Sequence, residues 1–389
     1  MTADRQGGLA PEIYAARAAR AYAAMQQRFA TKRGIYRRDA RLHLPGTAAH
    51  LWPFIRAFVA TLDLAGAPAG MVEGFDADAA IAERLDTLSR YWDPSGPWPA
   101  YSSDVIGTRF GGDRYYDDNA WVGLCLVQLE RMRPGAARLD RAAEVFRFAV
   151  NGWDRREDVP APGGVFWVEQ GRGVGARNHD RNTVSNAPHA QLALHLAELG
   201  AAPGSEPGDA GPDDMYEWVN AALDAGSAPA SGERPGAEGP GMGLFWDKIR
   251  GDNSVDRTLW SYNQGSMVGL NVLLARTGGG AGTHMARALA IAGKALRHYE
   301  GEYEHQPAAF NAIFFRNLLQ LHAATTDAEL RDEIVRAMRG YADHAWDALR
   351  DDNDCFHFSG SPTSLLDQSA MVQVLALLGW DPGDYPKLA

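Results

Sequence analysis

Helical apolar spacing runs almost the whole length of the chain, and the segments that carry it are of two alternating kinds. Periodicity and Gly/Pro punctuation predict about twelve helices, near 11–30, 48–64, 75–91, 117–131, 138–151, 186–199, 213–225, 258–276, 282–300, 308–323, 327–349 and 364–378. Segments such as "AARAARAYAAMQQRFA" and "DAELRDEIVRAMRGYADHAWDALR" are charged on one face and apolar on the other, as an outer layer requires. Segments such as "AWVGLCLVQL", "GSMVGLNVLLA", "NAIFFRNLLQL" and "SAMVQVLALLGW" are apolar nearly all round, as burial on both sides requires. Alternation of the two kinds over about six hairpins predicts an all-α fold, a closed (α/α)6 barrel of inner and outer rings with little or no β-structure.

One such barrel absorbs all 389 residues, so 1–389 reads as a single domain. The exception in composition is 201–243, where "GSAPASGERPGAEGPG" cannot bury enough surface to order itself and reads as a mobile surface excursion. "VFWVEQ" is the one plausible strand, inside a long loop expected over the barrel mouth. A net charge of -11 leaves no basic stripe for nucleic acid. No run of ~18 apolar residues points to a membrane span and no leader-like segment opens the chain, so the expected location is the cytoplasm, or outside the cell if the sequence is trimmed. Cys125 and Cys355 lack metal-ligand spacing and are expected as packed thiols.

Polar residues collect where the inner helices begin: Asp117-Asp118-Asn119, Ser185-Asn186, Ser261-Tyr262-Asn263-Gln264 and Asp367-Gln368-Ser369. Any one cluster reads as an N-cap. In a hairpin barrel all inner helices start at the same end, so four clusters converge on one rim and form a polar cup suited to carbohydrate. Trp121, Trp167, Trp246, Trp260 and Tyr262 lie near these starts and offer faces for sugar stacking, although each taken alone is an ordinary core aromatic. The adjacent carboxylates Asp117 and Asp118 gain a purpose in such a cup. A helix N-terminus favours an ionised carboxylate and a close like charge raises the pKa of its partner, which separates a nucleophile from a proton donor. Glycoside hydrolysis needs this division, with carboxyl groups ~5–5.5 Å apart for retention of configuration and ~6.5–9.5 Å for inversion. Adjacency in sequence suits the shorter gap.

At these residues the chain resembles glycoside hydrolase family 76, the endo-α-1,6-mannanases. The resemblance rests on "YYDDNAWVGL", "NTVSNAPHAQLA", "GLFWDKI", "WSYNQGSMVG", "FNAIFFRNL" and "DQSAMVQVL", in the family's order and over most of the chain. It implies an (α/α)6 barrel and a retaining reaction on an α-1,6-linked mannan or mannooligosaccharide; independently, the motifs of the chain lead to no expected cofactor or metal. It also implies Asp117 as nucleophile and Asp118 as general acid/base. Asn119, Trp121, Trp167, Asn186, Trp260, Tyr262, Asn263, Gln264 and Asp367 are the expected substrate contacts. The family's usual Lys-Asn-x-x-Ser-Asn-Gly-Pro reads here Arg181-Asn-Thr-Val-Ser-Asn-Ala-Pro188, with His189 following, a departure that bears on subsites.

Three other readings compete. An exo-acting or non-mannan α-glycosidase keeps the chemistry and changes the cut. A sugar epimerase or isomerase would use His189 as base, since this barrel hosts unrelated reactions. A glycan-binding protein would have lost catalysis. "GRGVGARN" follows no strand and is no dinucleotide site. "DDNDCFHFSG" lacks the Gly and Glu of a calcium loop.

Overall fold

The structure, a computed structural model, describes residues 9–31, 34–38, 48–68, 72, 74–107, 112–173, 175, 177–204, 206, 208–226, 243–277 and 280–389. Twelve α-helices stand among the described residues, close to the twelve segments expected from periodicity: α1 Pro11–Phe29, α2 Leu51–Ala65, α3 Ala77–Ser89, α4 Tyr116–Met132, α5 Leu139–Asn151, α6 Thr183–Glu198, α7 Pro212–Leu223, α8 Ser261–Thr277, α9 Ala281–His298, α10 Ala308–Ala324, α11 Ala328–His344 and α12 Leu365–Leu378. The even-numbered helices pack in a closed circle, α2 on α4, α4 on α6, α6 on α8, α8 on α10, α10 on α12 and α12 on α2. Each odd-numbered helix lies outside, for example α5 on α4 and α6, and α1 on α12 and α2. This is the (α/α)6 barrel expected from the alternation.

The sequence explains each ring. In α8 every residue from Ser261 to Leu274 is buried, because neighbours cover both its inward and its outward face. In α5 the buried set is Ala142, Ala143, Val145, Phe146, Phe148, Ala149 and Val150, one apolar side of a helix whose other side meets water. Inner helices approach closely where glycine allows it: a Cβ on Gly265 of α8 would stand 2.6 Å from Phe314 Cα in α10. Cys125 and Cys355 are free and buried. No described helix is long and apolar enough to cross a membrane.

The fourth residue of five inner helices is an amide, and each binds the main chain of a segment that precedes its own helix. Asn119 accepts from the Tyr101 N–H (2.8 Å) and donates to the Tyr101 carbonyl (2.9 Å). Asn186 accepts from the Val165 N–H (2.8 Å). Gln264 accepts from the Phe245 N–H (2.8 Å) and donates to the Phe245 carbonyl (2.9 Å). Asn311 donates to the Tyr303 carbonyl (2.7 Å). Gln368 accepts from the Phe356 N–H (3.1 Å). These buried side chains bind the main chain of the segments that enter the barrel mouth, so otherwise orphaned peptide groups are satisfied.

Short strands frame that mouth. β1 Trp92–Asp93 pairs with β2 Ala100–Tyr101; β3 Arg181–Asn182 pairs with β4 Lys248–Ile249, and β4 with β5 Val255–Asp256, all antiparallel. The expected strand "VFWVEQ" is extended chain held by single bridges, Val165 to Trp153, Phe166 to Arg181 and Val168 to Tyr115. It therefore connects the start of α4 to β3. Of the excursion 201–243, α7 and its flanks are ordered structure, whereas 205, 207 and 227–242 lie outside the described residues.

Candidate active site

Every inner helix is entered from an outer one, so the inner helices run in the same direction and their N-termini meet at one end. A cavity of about 460 Å³ opens there, lined by His50, Trp52, Pro53 and Ser103, by Tyr115, Asp117, Asp118 and Trp121 of the α4 start, and by Trp167, Asn182, Asp247, Lys248, Tyr262 and Phe310. Main-chain pairing brings these distant stretches together. The Tyr116 N–H donates to the Trp167 carbonyl (3.0 Å), the Trp167 N–H to the Asp180 carbonyl (2.8 Å), and the Thr183 N–H to the Asp247 carbonyl (2.9 Å).

The two aspartates occupy the first turn of α4 and have unlike surroundings. Asp117 accepts from the Asp118 N–H at Oδ1 (3.0 Å) and from the Trp167 indole N–H at Oδ2 (3.1 Å). Burial pushes its pKa up, those two donors pull it down, and Asp247 raises it again. Asp118 accepts no hydrogen bond from the described residues; burial and then the Asp117 charge push its pKa well above the ordinary carboxylate range. The pair therefore holds one proton more tightly than the other, with Asp118 the proton carrier and Asp117 the group whose anion is solvated by fixed donors.

Asp247 is the third carboxylate. It is 6% exposed, and burial is the main reason that its pKa rises to about 6; the Asn263 amide, which donates to Oδ1 (3.3 Å), and Lys248 act in the opposite direction. Burial, reinforced by the nearby charges of Asp247 and Asp117, holds the Tyr262 phenol protonated. The Tyr262 ring stacks on Phe310 with centroids 3.8 Å apart and planes 5° apart. Lys248 Nζ lies 3.0 Å from Asp180 Oδ2 and 5.6 Å from the centre of the Trp167 ring. Also in the lining, His50 Nδ1 is 3.0 Å from Asp104 Oδ1, and Arg38 backs the same oxygen at 2.9 Å. Trp52 and Trp121 meet at 6.0 Å between centroids, and buried Arg56 packs against both rings.

Of the residues expected from the sequence, Asp117, Asp118, Trp121, Trp167 and Tyr262 line the cavity. Asn119, Asn186 and Gln264 do not reach it, because their amides are the main-chain clamps described above. Asn263 supports Asp247 from behind. Trp260 packs edge-on against Phe310 outside the lining. Asp367 accepts from the Ser364 hydroxyl (2.7 Å) at the start of α12, also outside it. His189 is fully buried in α6, its Nδ1 2.9 Å from the Ser185 carbonyl, and burial lowers its pKa to about 4. It is neutral and does not line the cavity. Asp247, Lys248, His50, Trp52, Tyr115, Asn182, Ser103, Pro53 and Phe310 were not singled out as site residues. A charged Asp-Lys pair straight after the apolar "GLFW" was the available signal for the first two. No group of side chains able to hold a metal ion occurs among the described residues.

The sequence model of Glycosyl hydrolase family 76 matches residues 98–206, a stretch containing both aspartates, Trp167 and α6. No curated protein matches the chain. Solved structures share its fold over nearly all of its length. A family 76 glycoside hydrolase from a bovine Bacteroides thetaiotaomicron strain superposes with a TM-score of 0.73 at 18% identity, over 94% of this chain and 77% of that one. A family 76 mannosidase from Bacteroides thetaiotaomicron VPI-5482 gives 0.70 at 20% identity, over 94% and 98%. An inactive variant of the α-1,6-mannanase of Salegentibacter sp. HEL1_6, in complex with α-1,6-mannotriose, gives 0.66 at 16% identity, over 94% and 99%. The family's sequence model is thus matched across the aspartate pair, and solved members of family 76 share the barrel that surrounds it.

Proposed function

We propose that this chain hydrolyses α-1,6-mannosidic linkages with retention of configuration. The observation that carries the reading is the asymmetry of the aspartate pair: Asp117 is held by two N–H donors, whereas Asp118 accepts none and keeps its proton. In the first step Asp117 forms a bond to the anomeric carbon. The bond from that carbon to the glycosidic oxygen breaks, and the oxygen leaves with the proton of Asp118. In the second, the Asp118 carboxylate takes a proton from water, the water oxygen bonds to the anomeric carbon, and Asp117 is released. Asp247, backed by Asn263 and Tyr262, supplies an acceptor for sugar hydroxyls, and Trp121 and Trp167 supply apolar faces. The α-1,6-mannotriose in the Salegentibacter complex supports the linkage.

Paired substitutions test the roles. Asp117→Asn is expected to abolish turnover of every α-mannoside. Asp118→Asn is expected to lose turnover of mannooligosaccharides while still releasing a phenolate leaving group that needs no proton, in a burst as the glycosyl-enzyme accumulates. Equal loss on both substrates with Asp118→Asn would remove it as the acid.

A further inference from the structure

Among the described residues Trp98 is the most exposed tryptophan, 39% accessible, and it stands in a tightly held loop. The loop, residues 94–99, closes the β1–β2 hairpin and reads "PSGPWP". Pro97 and Pro99 fix their own φ and keep Gly96 and Trp98 out of the helical region, so little backbone freedom remains on either side of the indole. Gly96 supplies the positive φ (81°) that the turn requires.

Arg114, 2% exposed, donates from Nη1 to the Ser95 and Trp98 carbonyls (3.2 and 3.0 Å) and is paired with Glu169 through Nε and Nη2 (2.6 and 2.5 Å). Arg172 donates to the Ser95 hydroxyl (3.1 Å) and pairs with Asp93. At the hairpin base the Asn119 amide grips both polar groups of Tyr101. Arg114 and Asn119 flank Asp117 and Asp118 in sequence, and Glu169 follows Trp167 by two residues. The hairpin is thus fastened to the same two segments that carry the catalytic pair and its indole partner. An apolar indole held rigidly in water loses no ordering entropy on meeting a ligand, and its flat face matches the C–H face of a pyranose.

We propose that Trp98, on a hairpin anchored to the segments that carry the aspartate pair and Trp167, is a distal sugar-stacking platform that engages residues of a mannooligosaccharide lying beyond those at the cleavage point. The inference rests on the mannoside reading and deepens it, because a platform at that remove serves an extended chain rather than a terminal disaccharide.

The test compares wild type, Trp98→Ala and Trp98→Phe on linear α-1,6-mannooligosaccharides of increasing length, with solution mass measured in parallel. Trp98→Ala is expected to leave kcat/KM on the shortest substrate cleaved unchanged and to lower it on the longest by about tenfold, mainly through KM, with Trp98→Phe recovering most of the loss. An unchanged length profile, an equal loss at every length, or a change in oligomeric mass without a length-dependent loss would overturn the platform. Failure of wild type to cleave or bind any of these oligosaccharides would instead overturn the mannoside reading on which it rests.

Discussion

At the residue scale the division of labour depends on who donates to whom. In the proposed reaction Asp117 must be ionised to attack, and the Trp167 indole N–H lowers its pKa against the upward push of burial. Trp167→Phe removes that donor and keeps the ring. A lost hydrogen bond to a charged group costs roughly 1.5–3 kcal/mol, and one pKa unit is about 1.36 kcal/mol. The acidic limb of the kcat/KM profile should therefore move up by about one unit, while the alkaline limb, set by deprotonation of Asp118, moves less. A pH–rate series from 3 to 9 checks this, and an acidic limb that stays in place or moves down would show that the indole does not tune the nucleophile. Adjacent aspartates at a helix start were readable as such a pair because that spacing has little structural use. Asp247 was not, since its proximity to Asp117 exists only once the segment before β4 is paired to α6.

The elements owe their arrangement to a device that the sequence displayed without its meaning. Polar clusters at inner-helix starts suggested caps or sugar ligands; the fourth-residue amide is instead a clamp on the incoming chain, seen at Asn119, Asn186, Gln264, Asn311 and Gln368. Periodicity places a residue on a helix but does not say which loop its side chain meets. Gln264→Leu would leave the buried Phe245 N–H and C=O without that partner, at about 1–3 kcal/mol for each unsatisfied group. Gly265→Ala would drive a Cβ into the α10 backbone at a cost of about 1–3 kcal/mol. Both variants should unfold at lower temperature than wild type, measured by calorimetry, and an unchanged Tm for Gln264→Leu would contradict the clamp. The helices themselves were legible to within a few residues at their ends, because all-round apolar segments and one-sided ones alternate.

For the whole molecule, closing six inner helices at one rim concentrates acid where it is costly. Asp117, Asp118 and Asp247 all titrate above their ordinary values, so the folded state binds more protons than the unfolded chain. Stability from these groups is present below the unfolded pKa of about 3.9 and is lost as pH rises through the folded values, near 6 for Asp247 and higher for the proton carrier of the pair. Asp118→Asn is therefore expected to raise Tm at pH 7 while removing activity, and the gain should vanish near pH 4; a lower Tm at pH 7 would mean that the carboxylate stabilises the barrel. Function here opposes stability at the same residues. The most direct test of retention at Asp117 follows the first product released from a linear α-1,6-mannan by proton NMR, before mutarotation. A glycosyl-enzyme on Asp117 requires an α-configured reducing end, whereas a β-configured first product would contradict it.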